Sequence, residues 1–548
     1  MNNNVSTLVP MSYDEIIRTA TDNYLSNVTP DNHPDLNTIQ AELMNMTRSL
    51  VNGYNSTCPK GQLYQLPKEL SSWQIAEVLL KTEHIANVDL VGDRSAAEYC
   101  LLAKYQEEGK DKGTYSYDEF VFKRPIRKLK PSISQIELKN VLDILSSEAP
   151  VVNVNTDRDL IPVNNGVFDF ETKTLLPFSS DYVFLSKIKV DYNPLACNPV
   201  LHNDDGTDWD VDSWFGSLSD NPEVVDLLWE VVSASVRPNV RWNKSLWFKA
   251  SSGNNGKGTF CELLRNLSPG KAASISLRQF TESFGLTDLI GASACIVDEV
   301  RVNDFIDDVE SFKSAVTGDV ININRKYKNA VRYRFNGIIV FCVNSAPKVH
   351  DKTGSLYRRL LVVPFDHCFT GVERHYIKDE YMSNMAVLEY VLYRALNMNF
   401  YKFSEPDACK NELSMYQEYN DTVLQFMMEI IPELVWDMVP FAFLYDLYKS
   451  WFRKNNPSGS ILGKNTFITD FLENLPKFAD WYCMGRDVRI RPGTKMDRTE
   501  MLIKEYDLKD WCNEVYTGPD PVKMCTRKPT KPTYAGILRV NPYEEVSL

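Results

Sequence analysis

The sequence predicts an α/β protein built on a phosphate-loop core, with a mixed α+β region ahead of the core and a helical, basic module behind it. Three observations carry that expectation. Between Ser245 and Phe365 the apolar residues fall in short unbroken runs, Leu246-Trp247-Phe248, Cys295-Ile296-Val297, Ile338 to Val343 and Leu360 to Val363, a pattern of strands buried on both faces of a parallel sheet. The first run opens into a glycine-bearing loop that ends in a lysine and an amphipathic helix. Others end in groups able to handle phosphate or metal, at the carboxyl ends of strands where open parallel sheets bind ligands.

With 548 residues, the chain has room for roughly three or four folded units. Its 60 Lys and Arg against 73 Asp and Glu leave a net charge of -13, which excludes a surface coated in positive charge and confines any nucleic-acid contact to a local patch. No apolar run approaches the ~20 residues that span a bilayer, and the start Met1-Asn2-Asn3-Asn4-Val5 lacks the basic and apolar blocks of a secretory signal. A cytoplasmic protein without a membrane partner is expected. The 11 cysteines occur singly, with only 6 histidines, so zinc-ligand spacing is absent. Cys295 and Cys342 sit inside apolar runs and read as small buried hydrophobes; neither disulfides nor a structural metal is expected.

In chain order, residues 1–130 are polar and turn-rich, with a helix expected over Trp73 to Leu80 and a basic end from Lys123 to Lys130; no role is assigned to them. Residues 131–205 read as a small mixed domain: a helix carrying Ile136, Leu138, Val141, Leu142 and Leu145, then strand and turn signals around Asn164-Asn165-Gly166. An acidic loop from Asp204 to Asp212 precedes a lead-in helix with Val224, Leu227, Leu228, Val231 and Val232 at helical spacing. The core spans 206–370. A helical extension (371–435), a compact module (436–495) and a tail (496–548) follow.

The core's loop reads Gly253-Asn254-Asn255-Gly256-Lys257-Gly258-Thr259, and Phe260, Leu263, Leu264 and Leu267 continue it as a helix. Strand, glycine loop, lysine and helix form an ATP site: backbone N–H groups and the helix N-terminus hold phosphates, and Lys257 reaches the terminal ones. Against G-x-x-x-x-G-K-[ST] the hydroxyl is displaced by one, because Gly258 follows Lys257; Thr259 becomes the candidate Mg2+ ligand. Asp298 and Glu299 end the next run and suit Mg2+ binding and polarisation of the attacking water. Asn344 ends another, either contacting the γ-phosphate and lytic water or starting a turn before Pro347. Arg358 and Arg359 precede the last run, either as solvated strand ends or as an arginine finger acting across a subunit boundary. A nucleotide kinase would share the loop but needs an acceptor-phosphate site and lid, and neither is evident.

Taken in order, Gly253 to Thr259, Asp298-Glu299, Lys313 to Asp319, Asn344 with Pro347, and Arg358-Arg359 ahead of Pro364-Phe365 resemble superfamily 3 helicases, and within them the phage and plasmid primase-helicase branch that includes poxvirus-type enzymes. The resemblance covers about Ile133 to Asp480. It implies an AAA+-like ATPase of a mobile element, assembling as a homo-hexamer around DNA and translocating by ATP hydrolysis at subunit interfaces. It also implies a channel hairpin, here Ile321 to Phe335 with Arg325, Lys326, Tyr327 and Lys328 at its turn.

Basic side chains beside an aromatic ring can grip phosphates and stack on a base of single-stranded DNA. From Ser311 to Phe365 there are ten Lys and Arg against two Asp and Glu, so a local positive patch exists inside an acidic chain. The helices around Leu444, Tyr445, Tyr448 and Phe452 and around Phe467, Phe471 and Leu475, followed by an expected hairpin from Trp481-Tyr482 through Gly485 with Arg486, Arg489 and Arg491, resemble a winged-helix domain, with Lys464, Arg486 and Arg489 as duplex-DNA contacts; plain helical packing is the alternative. Long family members carry a primase domain in front. Here no Asp-x-Asp strand with a companion histidine is evident, Asp208, Asp210 and Asp212 lying in a loop-like run, so primase activity is not expected and a separate primase or polymerase is a candidate partner. The competing reading is an initiator that binds DNA without unwinding it and uses ATP as an assembly switch.

Overall fold

The computed structural model describes residues 11–540 apart from 58–62, 92–99, 251, 301–304, 307–308, 327, 345–346, 350–353, 373, 456–460 and 527–528. The chain divides into two units, Met1–Glu412 and Leu413–Leu548.

The first unit opens with α1 (Tyr13–Leu25), α2 (Leu36–Thr57) and α3 (Ser72–Thr82), the last being the helix expected from Trp73. Ser12 and Ser71 close α1 and α3 with capping boxes, satisfying amides that a helix start leaves bare. Strands β1 (Ile85–Asp89), β2 (Leu101–Tyr105) and β3 (Tyr115–Ser116) follow, then α4 (Glu119–Leu129) and α5 (Gln135–Glu148). Strand β4 (Val151–Asn153) returns to run parallel beside β1, giving the order β3-β2-β1-β4. Both α5 and β4, beyond residue 130, therefore belong to this layer; Leu138, Val141 and Leu145 join Ile75, Leu79 and Ile126 in one core, whereas Ile136 is exposed.

A meander of β5 (Leu160–Val163), β6 (Gly166–Asp169) and β7 (Thr174–Leu176) turns at Asn164-Asn165. The acidic segment 204–212 is irregular only over 204–207. It forms β9 (Asp208–Asp210), paired with β8 (Val200–His202), and starts α6 (Val211–Gly216), because Trp209 and Val211 alternate into the core while the carboxylates face outward. The three carboxylates serve this local structure. Asp208 pairs with the His202 ring at 2.6 Å, Asp210 accepts the Ser213 N–H at 3.0 Å, and Asp212 takes Arg394 and the Tyr390 hydroxyl.

Helix α7 (Pro222–Ser235) buries Val224, Leu227, Leu228, Val231 and Val232 as its spacing requires. Five parallel strands come next: β10 (Ser245–Lys249), β11 (Lys271–Ala273), β12 (Ala292–Val297), β16 (Ile338–Val343) and β18 (Leu360–Pro364), in the order β11-β12-β16-β10-β18. The four apolar runs are four of these strands; the short edge strand β11 has no such run. Helix α8 (Lys257–Leu267) joins β10 to β11 and buries Phe260, Leu263, Leu264 and Leu267 against the sheet. Between β12 and β16 lie β13 (Phe305–Ile306), α9 (Glu310–Thr317) and the antiparallel hairpin β14 (Val320–Arg325) and β15 (Lys328–Arg334); β17 (Lys348–Val349) pairs with β13. After β16 come α10 (Gly354–Tyr357), then beyond β18 α11 (His375–Asp379) and α12 (Met385–Asn397), whose Val387, Val391 and Leu392 join the core of α7 and α8. The division between units falls within α13 (Asp407–Asn420).

The second unit runs α14 (Thr422–Ile430), β19 (Met438–Pro440), α15 (Phe441–Asn455), α16 (Lys464–Asn474), β20 (Trp481–Tyr482), α17 (Leu502–Glu505), α18 (Pro521–Cys525) and β21 (Gly536–Arg539). No hairpin forms over 481–491. Strand β20 pairs instead with β21, which lies between β19 and β20 in an antiparallel sheet, and Ile490 bridges Tyr534. The segment expected as a tail thus supplies the central strand, and its Leu502, Ile503, Cys525 and Ile537 pack with Phe443, Leu447 and Phe467. Apolar burial overrides the polar Lys/Pro/Thr composition of that stretch.

Candidate nucleotide site and DNA-binding surfaces

The loop leaving β10 turns where its backbone geometry demands special residues. Gly256 sits at φ 81° ahead of α8, and a Cβ there would lie 2.7 Å from the Leu218 side chain; glycine alone meets both conditions. Asn254 is also left-handed, at φ 53°, which asparagine tolerates better than most residues. The segment after β18 braces the loop from outside: the Phe369 N–H donates to the Asn254 carbonyl at 2.8 Å, the Asn255 amide donates to the His367 carbonyl at 2.6 Å, and the Cys368 thiol faces the Gly253 carbonyl at 3.6 Å. His367 is itself held by the Ser217 carbonyl at 2.6 Å and Asp220 at 2.9 Å. The hydrogen bond to Asp220 raises its pKa, with the Ser217 carbonyl adding to it.

Lys257 begins α8 half-buried, with burial lowering its pKa, and its ammonium donates to the Asn344 side-chain oxygen at 3.0 Å. Sheet register explains the meeting. Lys249 lies opposite Val343, and Val297 opposite Phe341, so the phosphate loop, Asp298-Glu299 and Asn344 all leave the same edge of the sheet. Asn344 is exposed and partnered with Lys257 beside the loop, while 345–346, where a turn before Pro347 would form, lie outside the described residues. Asp298 and Glu299 are exposed, and Arg265 on α8 donates to Asp298 at 2.5 Å. That pairing raises the Arg265 pKa even though burial opposes it. Thr259 sits half-buried in the first turn of α8. The ammonium of Lys378 on α11 lies beside Gly258, 3.5 Å from where a Cβ would be, an ordinary van der Waals distance that leaves room for a side chain.

Arg358 and Arg359 lie at the opposite edge. Leu360 is level with Ser245, and the Ser245 N–H donates to the Arg359 carbonyl at 2.7 Å, so the full length of a strand, roughly 17 Å, separates them from their own phosphate loop. The Arg359 guanidinium donates to the Ser355 carbonyl at 2.6 Å and hydroxyl at 3.1 Å, while Arg358 is exposed.

The hairpin expected over Ile321 to Phe335 is β14–β15, with Arg325 ending one strand and exposed Lys326 at the turn. Tyr327 and the Lys328 side chain lie outside the described residues. In the second unit Lys464 and Arg489 are exposed, and Arg486 donates to Thr469 at 3.1 Å and to the Asn465 carbonyl at 3.2 Å on α16. Sequence reasoning missed Arg265 and Lys378, because folding brings Arg265 to Asp298 and Lys378 to Gly258 from distant parts of the chain.

Three families match in succession: one described as D5 N terminal like at residues 56–214, a family of unknown function (DUF5906) at 249–359, and one described as Poxvirus D5 protein-like at 418–513. A protein of Acanthamoeba polyphaga mimivirus named "Putative helicase L207/L206" is 23% identical over 239 residues, 42% of this chain and 24% of that protein; the matched segment spans about a quarter of that relative. Among solved structures, an apo form of the NrS-1 C-terminal region overlaps at TM-score 0.40 and 12% identity over 80% of this chain and 91% of that one. A JCV helicase bound to a small molecule overlaps at TM-score 0.25 and 16% identity over 39% and 62%.

Proposed function

The chain belongs to the D5-like primase-helicase family, and from that premise we propose that it is an ATP-driven DNA helicase of a mobile element, working as a hexameric ring. The observation that carries the reading is the convergence of Lys257, Asn344 and the Asp298-Glu299 pair at one edge of a parallel sheet, with Lys257 and Asn344 already 3.0 Å apart. Residues 253–259 hold the phosphates of ATP by backbone N–H groups, and Lys257 neutralises the terminal ones. Glu299 takes the proton of the attacking water, and Asn344 exchanges its contact with Lys257 for one with the γ-phosphate. The donor set fits magnesium, since Thr259 and Asp298 offer only oxygen. When bound, the ion supplies charge neutralisation on the β- and γ-phosphates. Arg358, exposed and far from its own loop, is the better-placed finger for a neighbour's ATP.

The second unit supports a winged-helix reading. What supports it is the order α14, β19, α15, α16, β20 and β21, with β21 between β19 and β20; residues 483–535, with α17 and α18, would then stand in for the usual short wing. Helix α16 is then the recognition helix, presenting Lys464, with Arg486 and Arg489 beside it.

The reading predicts DNA-stimulated ATP hydrolysis that drops by at least about a hundredfold in Lys257→Ala and Glu299→Gln, and strand displacement on a forked substrate. Parent-like hydrolysis in both variants would falsify the site. Hydrolysis with DNA binding but no unwinding under any nucleotide condition would favour the initiator instead.

A further inference from the structure

Two cysteines that the nucleotide chemistry does not use meet beneath it. Cys261 lies one turn along α8 from Lys257, and Cys342 lies in β16 two residues before Asn344; both are buried. Their sulfurs are 3.4 Å apart, and a carboxylate oxygen of Asp298 lies within 4.8 Å of both. Three separate elements, α8, β12 and β16, deliver these donors to one point.

We propose that Cys261, Cys342 and Asp298 form a binding site for a thiophilic divalent cation, zinc being the natural occupant, and that occupation switches off nucleotide turnover. Sulfurs 3.4 Å apart, each at the ~2.3 Å zinc–sulfur distance, subtend about 95° at a shared ion, a modest compression of a tetrahedral angle. The exposed side of Asp298 gives the ion its way in and leaves a fourth position for water. Magnesium takes oxygen donors and does not compete for the sulfurs. Arg265, already donating to Asp298, remains as the outer partner that orients the carboxylate. Binding releases the two thiol protons to solvent.

An ion here ties α8 to β16 and removes Asp298 from magnesium, so the inhibition, though not the binding, rests on Asp298 being the magnesium carboxylate. Spacing patterns miss such a site because its cysteines are 81 residues apart in sequence.

The test uses the full chain, reduced and stripped of metal, with cadmium as the probe. The parent is expected to show a sulfur-to-cadmium charge-transfer band that zinc abolishes by competition, and Cys261→Ala and Cys342→Ala are expected to lose that band while melting like the parent without metal. No band in the parent, or an undiminished band in both variants, overturns the site. With magnesium and ATP in excess, stoichiometric zinc should slow the parent's hydrolysis by roughly tenfold or more, reversibly on chelation, and leave Cys342→Ala unaffected. Zinc that binds through both cysteines yet leaves hydrolysis unchanged overturns the switch and the magnesium role of Asp298, while the site itself stands.

Discussion

At the scale of single residues, the phosphate loop departs from its usual pattern next to a lysine from a distant part of the chain. Gly258 occupies the position of the expected hydroxyl, and the ammonium of Lys378 stands 3.5 Å from where its Cβ would be. A cation at the amino end of α8 opposes the helix macrodipole, and a phosphate between them reverses the sign of that interaction. Lys378→Ala is therefore expected to weaken ATP binding about tenfold, one charge-assisted contact or roughly 1.4 kcal/mol, with Lys378→Arg keeping part of the affinity and the melting temperature unmoved. Titration with a fluorescent ATP analogue measures this, and an affinity equal to the parent's removes Lys378 from the site. The contiguous part of the site, Gly253 to Thr259, was legible in the sequence because loop, lysine and helix are neighbours in the chain. Asp298 and Asn344 were legible because each ends an apolar run. Arg265 and Lys378 were not, since each acquires its meaning only from a partner that folding brings to it.

Among elements, the same division between local and non-local information decides what could be read. Four of five core strands follow from apolar runs confined to short stretches, whereas the hairpin β14–β15 was expected from the family resemblance. Strand β9 was masked by its two aspartates, although Trp209 between them turns into the core as a strand requires. Strand β21 was missed because its partners Met438 to Pro440 and Trp481-Tyr482 lie far back in the chain, so nothing around Gly536 announces a sheet. Ile537 is fully buried there, and Ile537→Asp should destabilise the second unit by about 3 kcal/mol or more through an unpaired buried charge, lowering its melting transition. A dispensable tail would leave that transition in place. For the hairpin, replacing Arg325 and Lys326 with alanine should weaken DNA binding at every sequence, reduce the slope of log affinity against log salt by roughly 1 to 2, and abolish stimulation of hydrolysis by DNA while basal hydrolysis persists. An unaltered salt slope would place the DNA elsewhere.

For the whole molecule, the question is whether one chain holds a complete ATPase. Its acidic total of -13 conceals ten Lys and Arg against two Asp and Glu between Ser311 and Phe365, so under the proposed function DNA would be drawn to one basic segment of an otherwise repelling chain. That segment also holds Arg358, exposed at the amino edge of β18, while the phosphate loop leaves the carboxyl edge of β10 beside it. A strand length of roughly 17 Å exceeds the reach of an arginine side chain, so within one chain Arg358 cannot neutralise the charge that develops on the transferring phosphoryl group. In the proposed ring, a head-to-tail arrangement would resolve the mismatch by presenting each subunit's amino edge to the next subunit's loop. Arg358→Ala should accordingly reduce turnover by about three orders of magnitude with little change in ATP affinity, whereas Lys257→Ala loses affinity. The two defects lie on opposite sides of one interface. Mixing the inactive variants in equal amounts restores about a quarter of the interfaces, those where a Lys257→Ala chain lends its intact Arg358 to an Arg358→Ala chain that keeps Lys257. Hydrolysis above the sum of the separate variants is the expected outcome, and its absence at every mixing ratio would return the finger to the same chain and remove the structural argument for a ring.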